Sequence, residues 1–398
     1  MLINKKTRAV AACLLMLLIT PIFSGCALLF PSDFGSVSSD REEGLYINGQ
    51  LFDMDVPSNG SYYYNQLTET EKTIYTAALN ALTEGVSIFE LVDVNCDEFS
   101  EGCELSVEAL VRDHPEFFWI DGGFKISAYQ IVGNATGNLT VTLTTHKYWD
   151  EKDIQAAVNE IAEVTDAIIC QANEYSDPYE KVKFVNKWLA EHVEYDIESL
   201  NDQSPRDNAA DAFVNTVYGT LVAGKTLCGG YAYTFSYILN SLGIETLYVT
   251  GTADGGRHAW NLVNLGGEYY HIDPTWSDDD EHGQIQYLYF GLTDEEIAYT
   301  HSPDSVFTYP TANGTEYNYY QREGLYLESY SFNNFSSLFS QHGIEDGFTV
   351  KFSSSVVLNA AVRDLIDNAK FYKLHQMGNV STFSYSIDEN LCILSLYR

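Results

Sequence analysis

At 398 residues the chain is long enough for two or three domains with cores of their own. A hydrophobic content of 45%, with 29 Tyr and 21 Phe, excludes an intrinsically disordered chain. A formal net charge of −35 makes a surface that repels phosphate backbones, so nucleic acid is excluded as a partner and the acidity is read as an aid to solubility.

The N-terminus reads as an address. Lys5, Lys6 and Arg8 precede an apolar run from Ala9 to Ile19, too short to span a bilayer comfortably and suited to a secretory signal. Phe23-Ser24-Gly25-Cys26 resembles a bacterial lipobox, with Phe where Leu is usual. Residues 1–25 are therefore expected to be removed and Cys26 to be lipidated; an uncleaved anchor or ordinary cleavage nearby is the alternative. Two or three acyl chains anchor stably where one does not. Residues 26–45 then serve as a tether at the cell membrane, on its extracytoplasmic side.

Residues 46–147 are expected to form a first α+β unit. Thr68 and Glu71 spell a capping box that starts a helix through Ile74, Ala78 and Leu82, stopped at Gly85. A second, short helix fits Ser106 to Arg112. Residues 124–132 and 139–144 alternate as strands. His114, ahead of Pro115, is read as structural. Cys96 and Cys103 could close a small loop in an oxidising compartment or stay reduced, and the seven cysteines show no C-x2-C zinc spacing.

A second unit is expected over residues 148–304. Ile154, Val158, Ile161, Val164 and Ile168 give one helix its period. Asp177-Pro178-Tyr179-Glu180 opens another, with Val182, Val185, Trp188 and Leu189 as its stripe. After Glu194-Tyr195-Asp196 a polar, irregular link runs to about Asp211, and Tyr218-Gly219 leads to a Gly-rich loop around Cys228. Tyr231, Phe235, Ile238 and Leu242 then fall on one helical face, ended by Gly243. Cys228 thus starts a helix, where the partial positive charge favours a thiolate and its own N–H is a natural oxyanion donor.

A strand from Ile244 to Gly251 and a hairpin of residues 257–264 and 268–273 follow. A Gly266-Gly267 loop sets Trp260 opposite Asp273 with His258 diagonal; a Leu265-Gly266 loop sets His258 opposite Asp273. Both keep His258 and Asp273 on one face, because an even loop preserves the parity. Thiol, imidazole and carboxylate are the parts of a nucleophile–base–orienter arrangement.

Gly224-x-x-x-Cys228-x-Gly230-Tyr231-Ala232, His258-Ala259-Trp260-Asn261 and Asp273-Pro274-Thr275-Trp276 together resemble the transglutaminase-like superfamily. Tyr218-Gly219, and the Trp188 helix followed by Tyr195-Asp196, resemble its bacterial members, and with the lipobox they point to a bacterial surface lipoprotein. The resemblance covers roughly residues 150–300. It implies an α+β fold with a papain-like core, in which the helix carrying the Cys packs on an antiparallel sheet carrying His and Asp. Smaller N- and C-terminal α+β units flank it here. Carried over, Cys228 is the nucleophile, His258 the general base and acid, and Asp273 the orienting acid. Gly229 stands where bacterial relatives often have a larger polar residue, which bears on substrate preference. Eukaryotic transglutaminases help hold the oxyanion with an upstream Trp. Tyr195 is the candidate for that place, and Trp260 and Trp276 are candidates for cleft walls or core.

The implied chemistry is acyl transfer through a thioester, with no cofactor and no metal. Asp278-Asp279-Asp280-Glu281 lacks an EF-hand pattern and is read as a solvated loop. His271 and His282 have no partners at metal-ligand spacing. Residues 287–290 are expected as a last core strand, and Thr293-Asp294-Glu295-Glu296 as the start of a short helix. A C-terminal α/β unit over 305–398 holds strands at 348–352 and 391–396 and a helix from Val356 to Phe371. Tyr319, Tyr320, Tyr326 and Tyr330 make either a glycan- or wall-binding face or core packing. The expectation is a lipid-anchored, monomeric cysteine enzyme acting on protein or peptide amides, wall-associated ones included. Hydrolysis is favoured over crosslinking, since water is the default acceptor. A non-catalytic surface binding or scaffold protein that retains the three residues is the reading from another class.

Overall fold

The structure is a computed structural model that describes residues 61–130, 136–149, 152–201, 213–278, 285–343, 347–374 and 383–397. The leader, Cys26, the tether, His282 and residues 279–281 of the acidic loop lie outside the described residues. Among the described residues no helix is long and apolar enough to cross a membrane.

The capping box forms as read. Thr68 accepts from the Glu71 N–H, the Glu71 carboxylate accepts from the Thr68 N–H, and α1 runs Glu69–Thr83. A strand not foreseen, β1 (Ile88–Val94), follows. The expected short helix is the last part of a longer one, α2 (Cys96–Asp113), because Asn95 caps it by accepting from the Glu98 N–H. This removes the Cys96–Cys103 bridge. Seven residues along one helix separate the two by roughly 10 Å, beyond the reach of a disulfide, and both are buried. β2 (Ile120–Gln130) and β3 (Gly137–Thr145) complete an antiparallel sheet ordered β1-β3-β2. His114 is buried against Glu116 at 2.9 Å, a structural place.

In the second layer α3 (Ile154–Ala172) leads to α4 (Pro178–His192), whose Asp177 cap accepts from the Tyr179 N–H. β4 (Glu194–Tyr195) follows, and α5 (Ile197–Asn201) occupies the start of the link expected to be irregular. A π turn at Gly219–Ala223 ends at Gly224, whose φ of 67° suits a residue without Cβ. β5 (Lys225–Thr226) then pairs in parallel with β4 and delivers the chain to α6 (Cys228–Ser241).

β6 (Thr246–Ala253), β7 (Gly256–Leu265), β8 (Glu268–Ile272), β9 (Phe290–Leu292), α7 (Asp294–Ile297) and β10 (His301–Pro303) follow. The five strands form an antiparallel sheet ordered β10-β6-β7-β8-β9. β9 starts where the expected strand was to end, and β10 was not foreseen.

Beyond it come α8 (Tyr319–Arg322), β11 (Tyr326–Leu327), α9 (Phe332–His342), β12 (Phe348–Phe352), α10 (Ser355–Val362), β13 (Ser384–Asp388) and β14 (Ile393–Tyr397), with a further, four-stranded sheet ordered β11-β12-β14-β13. The helix expected to reach Phe371 breaks after Val362 into a π turn and a short 3-10 turn. The tyrosines here pack. Tyr320 is buried, Tyr319 stacks on Tyr287 at 4.1 Å, and Tyr330 donates to Asp364.

One apolar core runs through the first two layers, from Tyr63 and Trp119 through Val185 and Phe235 to Phe307. A separate one, around Phe335, Phe348 and Leu394, serves the last sheet. The first layer is also tied to the five-stranded sheet by polar links. The Tyr63 hydroxyl donates to the Tyr248 carbonyl, and the buried Arg112 guanidinium donates to Thr250 and Tyr309.

Candidate active site

Cys228 is the first residue of α6 and is partly exposed. Leu227, the N-cap, has no side-chain oxygen to offer. The first turn finds other acceptors. Gly229 N–H donates to Asn215 Oδ1 at 3.1 Å, and the N–H groups of Gly230 and Tyr231 share the Leu227 carbonyl. The Cys228 N–H is not taken in this way among the described residues, which leaves it for a developing oxyanion. Gly229 is glycine for a local reason: a Cβ there would lie 2.7 Å from Asn215 Oδ1.

The hairpin settles its register through a Gly266-Gly267 loop, with Leu265 paired to Glu268 and Asn261 to Ile272. Asp273, one step further, therefore lies across from Trp260, and His258 is diagonal to it on the same face. His258 Nε2 meets Asp273 Oδ2 at 2.8 Å. The imidazole also lies close enough to the Cys228 thiol for the two to interact electrostatically. Nε2 being engaged with the acid, Nδ1 is the nitrogen left for sulfur. Thus Cys228, His258 and Asp273, far apart in sequence, lie side by side.

Asp273 is completely buried. Burial alone would raise its carboxyl, but the charge and hydrogen bond of His258, and then His301, hold it well below the usual carboxylate range. Oδ1 accepts from the Thr275 and Trp276 N–H groups at 3.0 and 3.3 Å, an Asx turn built into Asp-Pro-Thr-Trp. For His258, burial pushes down, yet Asp273 and Cys228 outweigh it and hold the imidazole up to about 10. At neutral pH the ring is an imidazolium, and an imidazolium stabilises a thiolate beside it.

The remaining expected residues take distinct places. Trp260 is fully buried and donates its indole N–H to His271 Nδ1 at 3.0 Å, while His271 Nε2 donates to Asp294 at 2.9 Å. Burial holds His271 below its ordinary value, so it stays neutral and can accept on one nitrogen and donate on the other. Trp260 is therefore core, whereas Trp276 is partly exposed with its ring 5.5 Å from that of His258, a wall of the site. Tyr195 pairs with Thr226 across β4 and β5, beside the strand that delivers Cys228, and its ring packs near Tyr231.

Three residues escaped the sequence reading. Asn215 gave no signal beyond lying upstream of Tyr218-Gly219. Asn261 was visible in its motif but had no role until the helix was seen to pack on β7. His301, at the start of β10, sends Nε2 to the same Asp273 Oδ2 at 3.2 Å. Among the described residues His258, Asp273 and His301 are the grouping whose ligand atoms, all within 4.8 Å of one another, could hold a metal ion; here they satisfy one another instead.

Residues 169–274 match the family model of the transglutaminase-like superfamily. The mouse (Mus musculus) and human (Homo sapiens) proteins named kyphoscoliosis peptidase are each 31% identical over 109 residues, which is 24% of this chain and 15% of theirs. The match thus spans about a seventh of the length of those curated relatives. A solved structure of a TGase aligns at 20% identity over 41% of this chain and 48% of its own, with a TM-score of 0.28. A candidate cysteine protease from Cytophaga hutchinsonii aligns at 15% identity over 39% and 63%, with a TM-score of 0.23. Those scores are too low to bear on the architecture, which rests on the sheet, the helix and the matched segment. Residues 169–274, with Cys228, His258 and Asp273 inside them, form a domain of the transglutaminase-like superfamily.

Proposed function

We propose that the chain is a cysteine-dependent acyl-transfer enzyme that acts on protein or peptide amides and resolves its thioester chiefly with water. The observation that carries this reading is the His258 imidazole, hydrogen-bonded to a buried carboxylate and in electrostatic contact with the Cys228 thiol at the start of a helix. The proton rests on His258 as the Cys228 sulfur attacks the amide carbon. The oxyanion collects the Cys228 N–H, and His258 returns the proton to the leaving amine as the C–N bond breaks. Water, deprotonated by the same imidazole, then cleaves the thioester to acid and free thiol. An amine in its place would give a new amide. What favours water is that the mammalian relatives are named peptidases. The leader and Cys26 suggest that the enzyme works from a lipid anchor on the extracytoplasmic side, as a monomer on protein or wall-associated peptide.

The test is incubation of the full chain with labelled casein, with and without a labelled amine, comparing wild type with Cys228→Ala. Ammonia or peptides released by wild type alone support hydrolysis, and amine incorporation supports transfer. No Cys228-dependent product, together with no alkylation of Cys228 by iodoacetamide near neutral pH, leaves a binding or scaffold protein as the better reading.

A further inference from the structure

The carboxylate that orients His258 is itself held by a second histidine. Asp273 Oδ2 receives His258 Nε2 at 2.8 Å and His301 Nε2 at 3.2 Å, while Oδ1 takes two backbone N–H groups. Four donors thus fix a carboxylate that has no solvent contact. With Oδ2 served by His258 alone, the carboxylate would keep an unmet acceptor site and a freer torsion about its Cβ–Cγ bond.

The placement of His301 follows from sheet register. It pairs with Ala253 on β6, while His258 pairs with Gly251 two residues away on the same strand. Even spacing puts both imidazoles on one face of the sheet. Only a glycine and an alanine of β6 stand between them, so His301 can reach across β6 and β7 to the acid at the end of β8. Gly251 also permits β10 to approach at all, because a Cβ there would lie 2.1 Å from the Ser302 carbonyl oxygen.

The ring is locked as well as placed. It packs against Trp276 at 4.6 Å, Trp260 at 4.9 Å and Tyr289 at 5.4 Å between centroids. Its Nδ1 lies 2.8 Å from the Thr300 hydroxyl, which is also 3.5 Å from the Ile297 carbonyl. The Asp273 carboxylate accepts, so the nitrogen that faces it, Nε2, carries the proton, and a neutral ring then leaves Nδ1 to accept from the Thr300 hydroxyl.

We propose that His301 is a positioning residue for the reaction: it holds Asp273 in the orientation that aligns His258 with Cys228. Its hydrogen bond goes to Asp273 and its ring packs edge-on to that of His258 at 5.4 Å, and it lies outside the matched segment of residues 169–274. The proposal rests on the function proposed above, but it can be read without a substrate.

Two variants test it, His301→Phe, which fills the space without a donor, and His301→Gln, which keeps an N–H near Nε2. For each, kcat and KM on labelled casein, the rate of Cys228 alkylation by iodoacetamide near neutral pH, and the thermal midpoint are measured. His301→Phe is expected to lower kcat about 10–100-fold with KM little changed, the usual cost of losing a group that orients a site residue. It should slow alkylation, and His301→Gln should recover most of both. If His301→Phe does not fold, Thr300→Val, which frees Nδ1, should give a smaller loss of the same kind. Folded variants with wild-type alkylation and kcat overturn the proposal, and so does a loss in the Gln variant as large as in Phe. If wild type cleaves no amide yet Cys228 is alkylated rapidly, the proposed function fails, and the alkylation rates of the variants still decide the role of His301.

Discussion

Asn261 Nδ2 donates to the carbonyl of Ala232 at 2.9 Å, and so ties the strand that carries His258 to the helix that starts with Cys228. The same nitrogen reaches the Leu247 carbonyl on β6 at 3.2 Å. Asn261 is three residues from His258, and Ala232 is one helical turn from Cys228. One buried amide therefore sets the spacing between thiol and imidazole. Ala259, between His258 and Trp260, packs with Ala232 and Tyr248, so the helix can lie close.

Replacing Asn261 with Leu removes this tie, and with it one hydrogen bond to each of two buried carbonyls. The expected cost is about 1–3 kcal/mol of stability, read as a lower urea midpoint. Cys228 alkylation should also slow in the folded variant, because the helix start is no longer fixed against β7. An unchanged alkylation rate at lower stability would reduce Asn261 to a packing role.

The His258–Asp273 pair fixes how stability should vary with pH. The folded protein holds His258 up to about 10, against an ordinary 6.5. A raised pKa means the folded state binds the proton more tightly, so this stabilisation is complete below about 6.5 and drains away as pH climbs towards 10. Asp273, held low, contributes above the ordinary carboxylate value of about 4 and loses its contribution as pH falls below it. The urea midpoint should therefore be highest between about pH 4 and 6.5 and fall on the alkaline side. In His258→Gln that alkaline decline should flatten. A decline of equal steepness in the variant would assign it to other groups.

Glycines at the helix start should differ in their tolerance. A Cβ at Gly230 would lie 1.9 Å from Thr226 Oγ1 and 2.8 Å from Thr220 Oγ1, both in buried residues that cannot swing away. At Gly229 the obstacle is Asn215, which is exposed and can turn outward. Gly230→Ala is expected to cost about 1–3 kcal/mol through overpacking. Gly229→Ala should cost less, about the value of a lost helix cap, ~1 kcal/mol. Thermal midpoints in the reverse order would mean that Asn215 is held more firmly than its exposure implies.

The site was legible where local rules govern it. The helix start at Cys228 follows from the Gly-rich loop and the stripe of Tyr231, Phe235 and Ile238. The shared face of His258 and Asp273 follows from hairpin parity, whichever two-residue loop is chosen. His301 was not legible, because its place depends on a three-residue edge strand pairing two strands away, and so short a strand leaves no alternation to read. Asn215 caps α6 from outside the helix, so the usual pattern of a Ser, Thr, Asp or Asn just before the first turn does not reveal it. The full length of α2 was missed because Asn95, its cap, lies eleven residues before Ser106, where the short helix was expected to begin. The Cys96–Cys103 loop was an inference from spacing alone, and spacing cannot tell a loop from two turns of helix.

Arg112 is expected to be the main polar fastener between the first layer and the five-stranded sheet. Its side chain is 2% exposed. Nη1 donates to the Tyr309 hydroxyl and Nη2 to Thr250 Oγ1, each at 2.8 Å, while Nε donates to Glu108 at 2.8 Å. The guanidinium also lies 4.9 Å over the Phe307 ring. Arg112→Met keeps most of the volume and removes every donor. Glu108 is half exposed and regains water, so the expected loss is about 2–3 kcal/mol rather than the full penalty of a stranded buried charge. Arg112→Lys should recover only part, since one ammonium cannot serve three partners in a plane. A double-mutant cycle with Thr250→Val isolates the link across the two layers, and a coupling of about 1 kcal/mol is expected. Additive effects would place the fastening in the apolar core that both layers share, with Arg112 merely accommodated beside it.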